Sequence, residues 1–378
     1  MNQCSLLARA ALIALVVASG SAGAGNQRTF VASTGADTNP CSLSQPCRSF
    51  ASAMALTNAG GEVIVLDSAG YGPVSITQSV SITAPPGIYA GISVVAGNGV
   101  TVSGANIHVT LSGLSINGQG GSEGISFQVG NRLVIERCSV TGMTGAGISV
   151  AGSNGALTIT DTHIRGNQNG IVFSDLVSTT VSATLSRVRS EYNAQSGLIV
   201  GAGGRVRATD SAFNNNGQFG ILATPVADNA NRTRIEITRS TISQNGSGGV
   251  YIESNTLGLS PADVATRLVE NVISDNDSYG VFLRKLGDAG GLMHSELTRN
   301  EISSNKFDGV NLYSLGGYMF TEMGGNVISL NGLDGIRGAY SYGPHGGDFE
   351  IRSVGDNVVT SNFHADVEAA PIGPANHI

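Results

Sequence analysis

From about Gly124 onward, apolar and polar residues recur in one order. An apolar anchor is followed three places on by an Asn or small residue, then two places on by another apolar residue, a polar turn, and Gly before a β-branched residue or Leu. Asn271-Val-Ile-Ser-Asp-Asn276, Asn300-Glu-Ile-Ser-Ser-Asn305, Asn326-Val-Ile-Ser-Leu-Asn331 and Asn357-Val-Val-Thr-Ser-Asn362 are the clearest copies. Recurrence of strand-like pieces at about 20–50 residues predicts a stacked solenoid, because a single turn of chain cannot bury its apolar face alone.

Take Leu111, Ile135, Ile159, Leu185, Ala208, Ile237, Leu268, Leu297, Met323 and Val354 as inward anchors. The turn positions are then Gly124, Gly147, Gly170, Gly197, Gly220, Gly249, Gly280, Gly309, Gly335 and Asp366. Anchor to turn is 13, 12 and 11 residues in the first three coils and 12 in every later one, whereas turn to next anchor runs 11, 12, 15, 11, 17, 19, 17, 14 and 19. Length therefore varies on one side only, after the strand that begins at the Gly. Period-two alternation, as in Arg234-Ile-Glu-Ile-Thr238, predicts short strands, three to a coil. No leucine-rich consensus or amphipathic helical stretch competes, so the predicted fold is an all-β, single-stranded parallel β-helix of about ten or more coils.

Asn193, Asn216, Asn245, Asn276, Asn305, Asn331 and Asn362 each lie four residues before the turn position. Stacking sets them about 4.8 Å apart, where side-chain amides bond along the stack. Asn271, Asn300, Asn326 and Asn357 form a second, inward row. Both rows read as structural, since buried amides need partners.

Residues 25–100 differ and read as an N-terminal cap with the first coils, leaving 101–378 to the repeats. Thr29-Phe-Val31 is a strand, residues 49–57 a short helix with Phe50, Ala53, Met54 and Ala55 available to pack, and residues 62–66 a strand ended by Gly70-Tyr-Gly72. An open solenoid end exposes apolar core and unpaired strand, which a helix would cover.

The run Ser33-Thr-Gly-Ala-Asp-Thr-Asn-Pro40, the capping helix, the strand leading to Tyr71-Gly-Pro-Val-Ser-Ile76 and the Asn-bearing coils resemble secreted bacterial right-handed β-helix repeat proteins of the pectin lyase-like superfamily. The resemblance covers the chain beyond its first residues and implies a right-handed coil. It leaves function open, since that superfamily contains polysaccharide lyases, hydrolases, epimerases and proteins without known activity.

Composition narrows the partners. Arg9, the apolar run over residues 10–18 and Ala22-Gly23-Ala24 read as an export signal over residues 1–24, too short for a membrane span. A secreted or periplasmic location follows, and no span is expected in the mature chain. Export suits Cys41 and Cys47 as a loop disulfide, with Cys138 an inert core thiol. The chain carries 20 Lys and Arg against 27 Asp and Glu; losing Arg9 leaves 19 − 27 = −8. Lys285 and Lys306 are its only lysines, so the basic stripe needed for nucleic acid is missing.

Arg207, Glu236, Arg267, Glu296 and Glu322, each one residue before an anchor, predict an exterior row of alternating charge that serves register and solubility. The strand after each Gly carries another outward row: Ser126, Ser149, Val172, Ile199, Leu222, Tyr251, Phe282, Asn311 and Arg337, with Glu253, Arg284 and Tyr313 two residues further. Outward aromatic residues need either a cover, from loops at 254–266, 285–294 and 314–321, or a ligand. In the second case Tyr251, Phe282 and Tyr313 offer flat faces to sugar rings, while Glu253, Arg284, Asn311 and Arg337 bond hydroxyls or carboxylates.

No paired Asp-Asp, Gly-His-Gly or dense acidic cluster of the hydrolase kind is visible in the chain. Tyr340-Ser-Tyr-Gly-Pro-His-Gly-Gly-Asp348 is similar to the Asp-Pro-His motif of alginate epimerases at Pro344 and His345, with Gly343 in place of the Asp. His108, His163, His294, His364 and His377 show no metal-ligand spacing, so no metal site is expected and no cofactor is assigned. Asp37 with Asn39, or Asp275 with Asp277, supply oxygens for calcium, although turns favour these residues without an ion. The leading expectation is an exported β-helix that binds a polysaccharide or cell-envelope component without turning it over. Its rivals are a lyase or epimerase acting on uronates through Arg284, Arg337 or His345, and a rod for surface display.

Overall fold

The computed structural model describes residues 26–152, 155–175, 180–225, 232–255, 263–286, 291–340 and 349–369. Its strands stack in parallel into three faces. One is a sheet of 13 strands, the second a sheet of 12, and the third two sheets of 6 and 5 strands. Ala212 joins the two parts of the third face through isolated bridges to Arg189 and Thr241. One coil runs Val264–Val269, Val272–Ser274, Tyr279–Leu286, and the chain then re-enters the first face at Leu292–Thr298. Leu268, Ile273, Val281 and Leu283 of that coil are fully buried, so each of its faces contributes inward side chains to one continuous core.

The anchors stack in register from Leu111 through Ile135, Ile159, Leu185, Ala208, Ile237, Leu268 and Leu297 to Met323. The expected last anchor is displaced: Ser353 pairs with Met323, and Val354 is 57% exposed. Two successive left-handed corner residues, Gly355 and Asp356, lengthen that coil's arc by one.

The glycine positions are demanded by close approach rather than by a left-handed backbone. A Cβ on Gly249 would lie 2.6 Å from the Gly280 carbonyl oxygen and 2.9 Å from Asn276 Nδ2. The Asn rows behave as expected. Asn276 Oδ1 accepts from the backbone N–H (3.1 Å) and side-chain amide (2.9 Å) of Asn245, while its own amide donates to Asn305 Oδ1 (2.8 Å) and the Ile242 carbonyl (3.1 Å). Asn167 extends this row, its amide donating to Asn193 Oδ1. It sits three residues before Gly170 because that coil's arc is one shorter. The second row runs Asn271, Asn300, Asn326, Asn357 and is continued toward the N-terminus by Ser240 and Ser211.

The exterior charge row is present, with Arg207–Glu236 at 2.9 Å, Arg267–Glu236 at 3.4 Å and Arg267–Glu296 at 2.9 Å. A second alternating row occupies the corner after the first face: Arg137, Asp161, Arg187, Asp210, Arg239, Glu270 and Arg299, all at positive φ. These residues carry the coil-to-coil backbone bonds around the bend, as in Arg187 N–H to Thr209 and Arg239 N–H to Val269. Arg187–Asp161, Arg239–Asp210 and Arg299–Glu270 pair at 2.6, 2.9 and 2.7 Å.

At the N-terminal end a helix over Phe50–Leu56 buries Phe50, Ala53 and Met54; Ala55, expected to pack, is exposed instead. Ser49 caps the helix, and Asp37 fixes its entry by accepting from the backbone N–H groups of Arg48 and Ser49 and from the Ser49 hydroxyl. Asn39 donates to the Pro46 carbonyl. The first candidate calcium pair is thus engaged in holding the cap, while Asp275 and Asp277 are exposed on either side of buried Asn276. Cys41 and Cys47 form the expected disulfide, and Cys138 is buried. Among the described residues no helix is long and apolar enough to cross a membrane.

Candidate functional site

The outer face of the 12-stranded sheet carries the densest chemistry. Parallel pairing places Leu222, Tyr251, Phe282, Asn311, Arg337 and Glu368 in one row across successive coils, with Glu253, Arg284 and Tyr313 in a second. The strands here are longer than expected. Gly248–Asn255, Tyr279–Leu286 and Val310–Leu315 extend beyond the core, and residues 314–321 are no loop. Gly316 and Gly317, both at positive φ, turn the chain directly into the strand Tyr318–Gly324. Residues 256–262, 287–290 and 341–348, with Pro344 and His345, lie outside the described residues.

Tyr251, Phe282 and Tyr313 are half-buried. Tyr251 is held by aromatic neighbours, with ring centroids 5.2 Å from both Phe219 and Phe282. Tyr279 continues the cluster at 4.8 Å from Phe282 and 5.7 Å from Phe307. Phe219 and Tyr279 directly precede the conserved-spacing glycines Gly220 and Gly280, a row that the sequence reading passed over as turn. The Tyr251 hydroxyl donates to Glu253 Oε2 at 2.7 Å, and burial pushes its pKa upward. Arg284 Nη1 reaches the same carboxylate at 3.1 Å, and the guanidinium sits 5.6 Å from the Tyr313 ring centroid. Glu253 is largely buried while 35% of the Arg284 side chain remains exposed, so the arginine is anchored at one edge and open at the other.

Further along the same face lies a second group. Asp308 and Asp334, the residues before Gly309 and Gly335, are both buried. The Asp334 N–H donates to Asp308 Oδ1 at 3.1 Å, and the Asn311 amide donates to Asp308 Oδ2 at 2.6 Å. Asn311 is thereby buried and committed to its own strand. Burial pushes the Asp308 carboxyl pKa up. Asp334 Oδ1 bonds His364 Nδ1 at 2.7 Å, which raises the imidazole pKa. Arg337 lies 4.0 Å from Asp334 Oδ2 and 3.7 Å from Glu368 Oε2. Hydrogen bonding and charge from Asp334 raise the Glu368 pKa.

The fold thus brings Tyr251, Glu253, Arg284 and Tyr313 together, and places Arg337 among Asp308, Asp334, His364 and Glu368, none of which sequence reasoning selected. Both buried aspartates sit in Asp-Gly pairs that read as turn signals. His364 lies 30 residues from Asp334 and becomes its neighbour only through stacking. The donor atoms of Asp334, His364 and Glu368 all lie within 4.8 Å of one another, contrary to the expectation that no histidine would join a ligand set.

Comparison with solved structures places the fold. The A-module of a mannuronan C-5 epimerase from Azotobacter vinelandii superposes with a TM-score of 0.57 at 16% identity, covering 82% of this chain and 91% of that one. The catalytic unit of a GH87 alpha-1,3-glucanase from Streptomyces thermodiastaticus gives a TM-score of 0.50 at 15% identity, covering 83% and 65%. No curated protein is significantly similar in sequence. The model of the right-handed beta helix region matches residues 56–182, 90–285 and 176–362. Matched over most of its length by that model, with every described coil paired in parallel, the chain belongs to the right-handed β-helix family.

Proposed function

We propose that this is an exported carbohydrate-binding β-helix whose outer 12-stranded face receives a polysaccharide or a glycan of the cell envelope. The observation that carries the reading is the pair of in-register rows, Tyr251–Phe282 and Glu253–Arg284–Tyr313, in which aromatic and guanidinium groups stay partly open on a fixed scaffold. Half-buried rings lose little freedom when a sugar stacks on them, and Arg284 is pre-oriented by Glu253 toward a carboxylate or vicinal hydroxyls. The apolar run at residues 10–18 and the Cys41–Cys47 disulfide support export to an oxidising compartment. The solved structures most usefully compared are an epimerase of mannuronan and a glucanase, which makes uronate and neutral glucan polymers the first to test.

Affinity electrophoresis through gels containing mannuronan, polygalacturonate or α-1,3-glucan tests the reading. At least one polymer should retard the protein, and Tyr251→Ala should weaken the interaction roughly three- to tenfold. A folded protein retarded by none of them would sink it. A second reading, turnover on the same face, is favoured by one observation: Asp308, His364 and Glu368, all with displaced pKa values, gather around Asp334 beside Arg337. Incubation with uronate polymers and measurement of unsaturated, ultraviolet-absorbing products distinguishes lyase chemistry from binding alone.

A further inference from the structure

We propose that Asp334, His364 and Glu368 bind one divalent transition-metal ion of the zinc or cobalt type, a site that neither rests on the glycan reading nor is needed by it. Two independent observations converge. The three side chains present one ligand atom each within a 4.8 Å span. In addition, the Asp334 side chain is only 1% exposed, and its Oδ2 accepts from no N–H or hydroxyl donor; the neighbouring Glu368 carboxyl can bond to Asp334 only while it carries a proton. Arg337 Nη1 stands 4.0 Å from that oxygen, beyond hydrogen-bond reach. A buried carboxylate oxygen without a donor carries its full desolvation cost, and a cation removes it.

Local charge points the same way. Among the described residues, the Asp334 and Glu368 carboxyls share the single guanidinium of Arg337, and Asp308 adds a third carboxyl next to Asp334. The frame is rigid. Ile336 pairs with Val367 and Arg337 with Glu368, while the His364 N–H donates to the Leu333 carbonyl at 3.0 Å, fixing the backbones of all three ligands across two adjacent coils. Zinc holds nitrogen and oxygen ligands at about 2.0–2.2 Å, which sets them about 3–3.5 Å apart. Closing the span needs a movement of about 1 Å, available to His364 and Glu368, whose side chains are 62% and 45% exposed, while buried Asp334 stays in place.

The donor chemistry selects among ions. One imidazole nitrogen with two carboxylates suits zinc or cobalt; calcium asks for six to eight oxygens. Three protein ligands leave a coordination position toward solvent for water or an oxygen of a bound molecule.

The test uses the full chain, stripped with EDTA and titrated with Co²⁺ alone, followed by its visible absorption, and with Zn²⁺ in competition. One ion per chain is expected. His364→Ala and Glu368→Gln should each weaken binding at least about tenfold, with unchanged circular dichroism in metal-free buffer; Glu368→Gln, which leaves the His364–Asp334 bond in place, should also keep the metal-free thermal midpoint. His294→Ala, an exposed histidine elsewhere, should bind as the parent does. Absence of stoichiometric Co²⁺ uptake, uptake indifferent to His364→Ala, or tighter binding of Ca²⁺ than of Zn²⁺ would each overturn the site. Because no glycan is present, these outcomes leave the carbohydrate reading untouched.

Discussion

Asn276 makes four of the hydrogen bonds that hold one coil against the next. Replacing it with Ala strands two buried donors of Asn245 and removes the donor from the Ile242 carbonyl. With each orphaned buried group costing about 1–3 kcal/mol, Asn276→Ala should destabilise by on the order of 2–4 kcal/mol in urea unfolding. Arg207→Ala breaks an ion pair at 2.9 Å, yet that side chain is 61% exposed, and the loss should stay below about 1 kcal/mol. Comparable losses in the two variants would show that the amide row does not carry inter-coil stability. The Asn positions were legible because spacing from glycine is a local property. Their neighbour Asn167 escaped through a one-residue change in arc, and the corner row led by Arg137, Asp161 and Arg187 escaped because nothing local marks a left-handed Arg.

At the scale of the element, the N-terminal cap is pinned by Asp67. Its carboxylate accepts from the Ser33 hydroxyl at 2.5 Å, the Ser33 N–H at 2.7 Å and the Tyr71 hydroxyl at 2.5 Å. The Ser33 and Tyr71 bonds hold its pKa below the ordinary carboxylate value. A folded pKa below the unfolded value near 3.9 means the contribution is complete above that pH and is lost as pH falls through the folded value. Stability should therefore decline in acid, and Asp67→Asn should be weaker at neutral pH with a shallower acid slope. Unfolding by urea at a series of pH values checks both; parallel profiles would refute the assignment. The same scale shows what sequence patterning missed. Residues 314–321 are expected from the sequence to cover the outward row as a loop, whereas the alternation continues as strand on either side of a tight turn at Gly316 and Gly317.

Across the whole molecule the two ends differ. The helix and Tyr71 close the first coils, their rings 5.3 Å apart. In the last described coil, Phe349–Ser353 and Val358–Thr360 hold no fully buried residue, and a hollow of about 270 Å³ opens between Met323, Ile336, Ile351, Val359 and Val367. Stability in a solenoid is a sum over neighbouring coils, so a coil that buries little side-chain surface opens most readily. Hydrogen exchange should be fastest over residues 349–369 and slow over Val264–Val269 and its neighbours. Equal protection would mean that the C-terminal end is covered in solution.

The sequence by itself determined the parallel solenoid, the anchor register through Met323, the two amide rows, the cap helix and the disulfide. Each follows from spacing within one coil, repeated, and stacking then has a single consistent solution. Tertiary structure alone decided which outward groups stay open and which are consumed: Asn311 by Asp308, Asp37 by the cap, and Glu253 shared by Tyr251 and Arg284. It also decided that Asp334, His364 and Glu368 meet. Their contact depends on the lengths of the variable arcs and on how deeply Asp334 sinks beneath the next coil, and burial and convergence across coils leave no mark in the period of the chain.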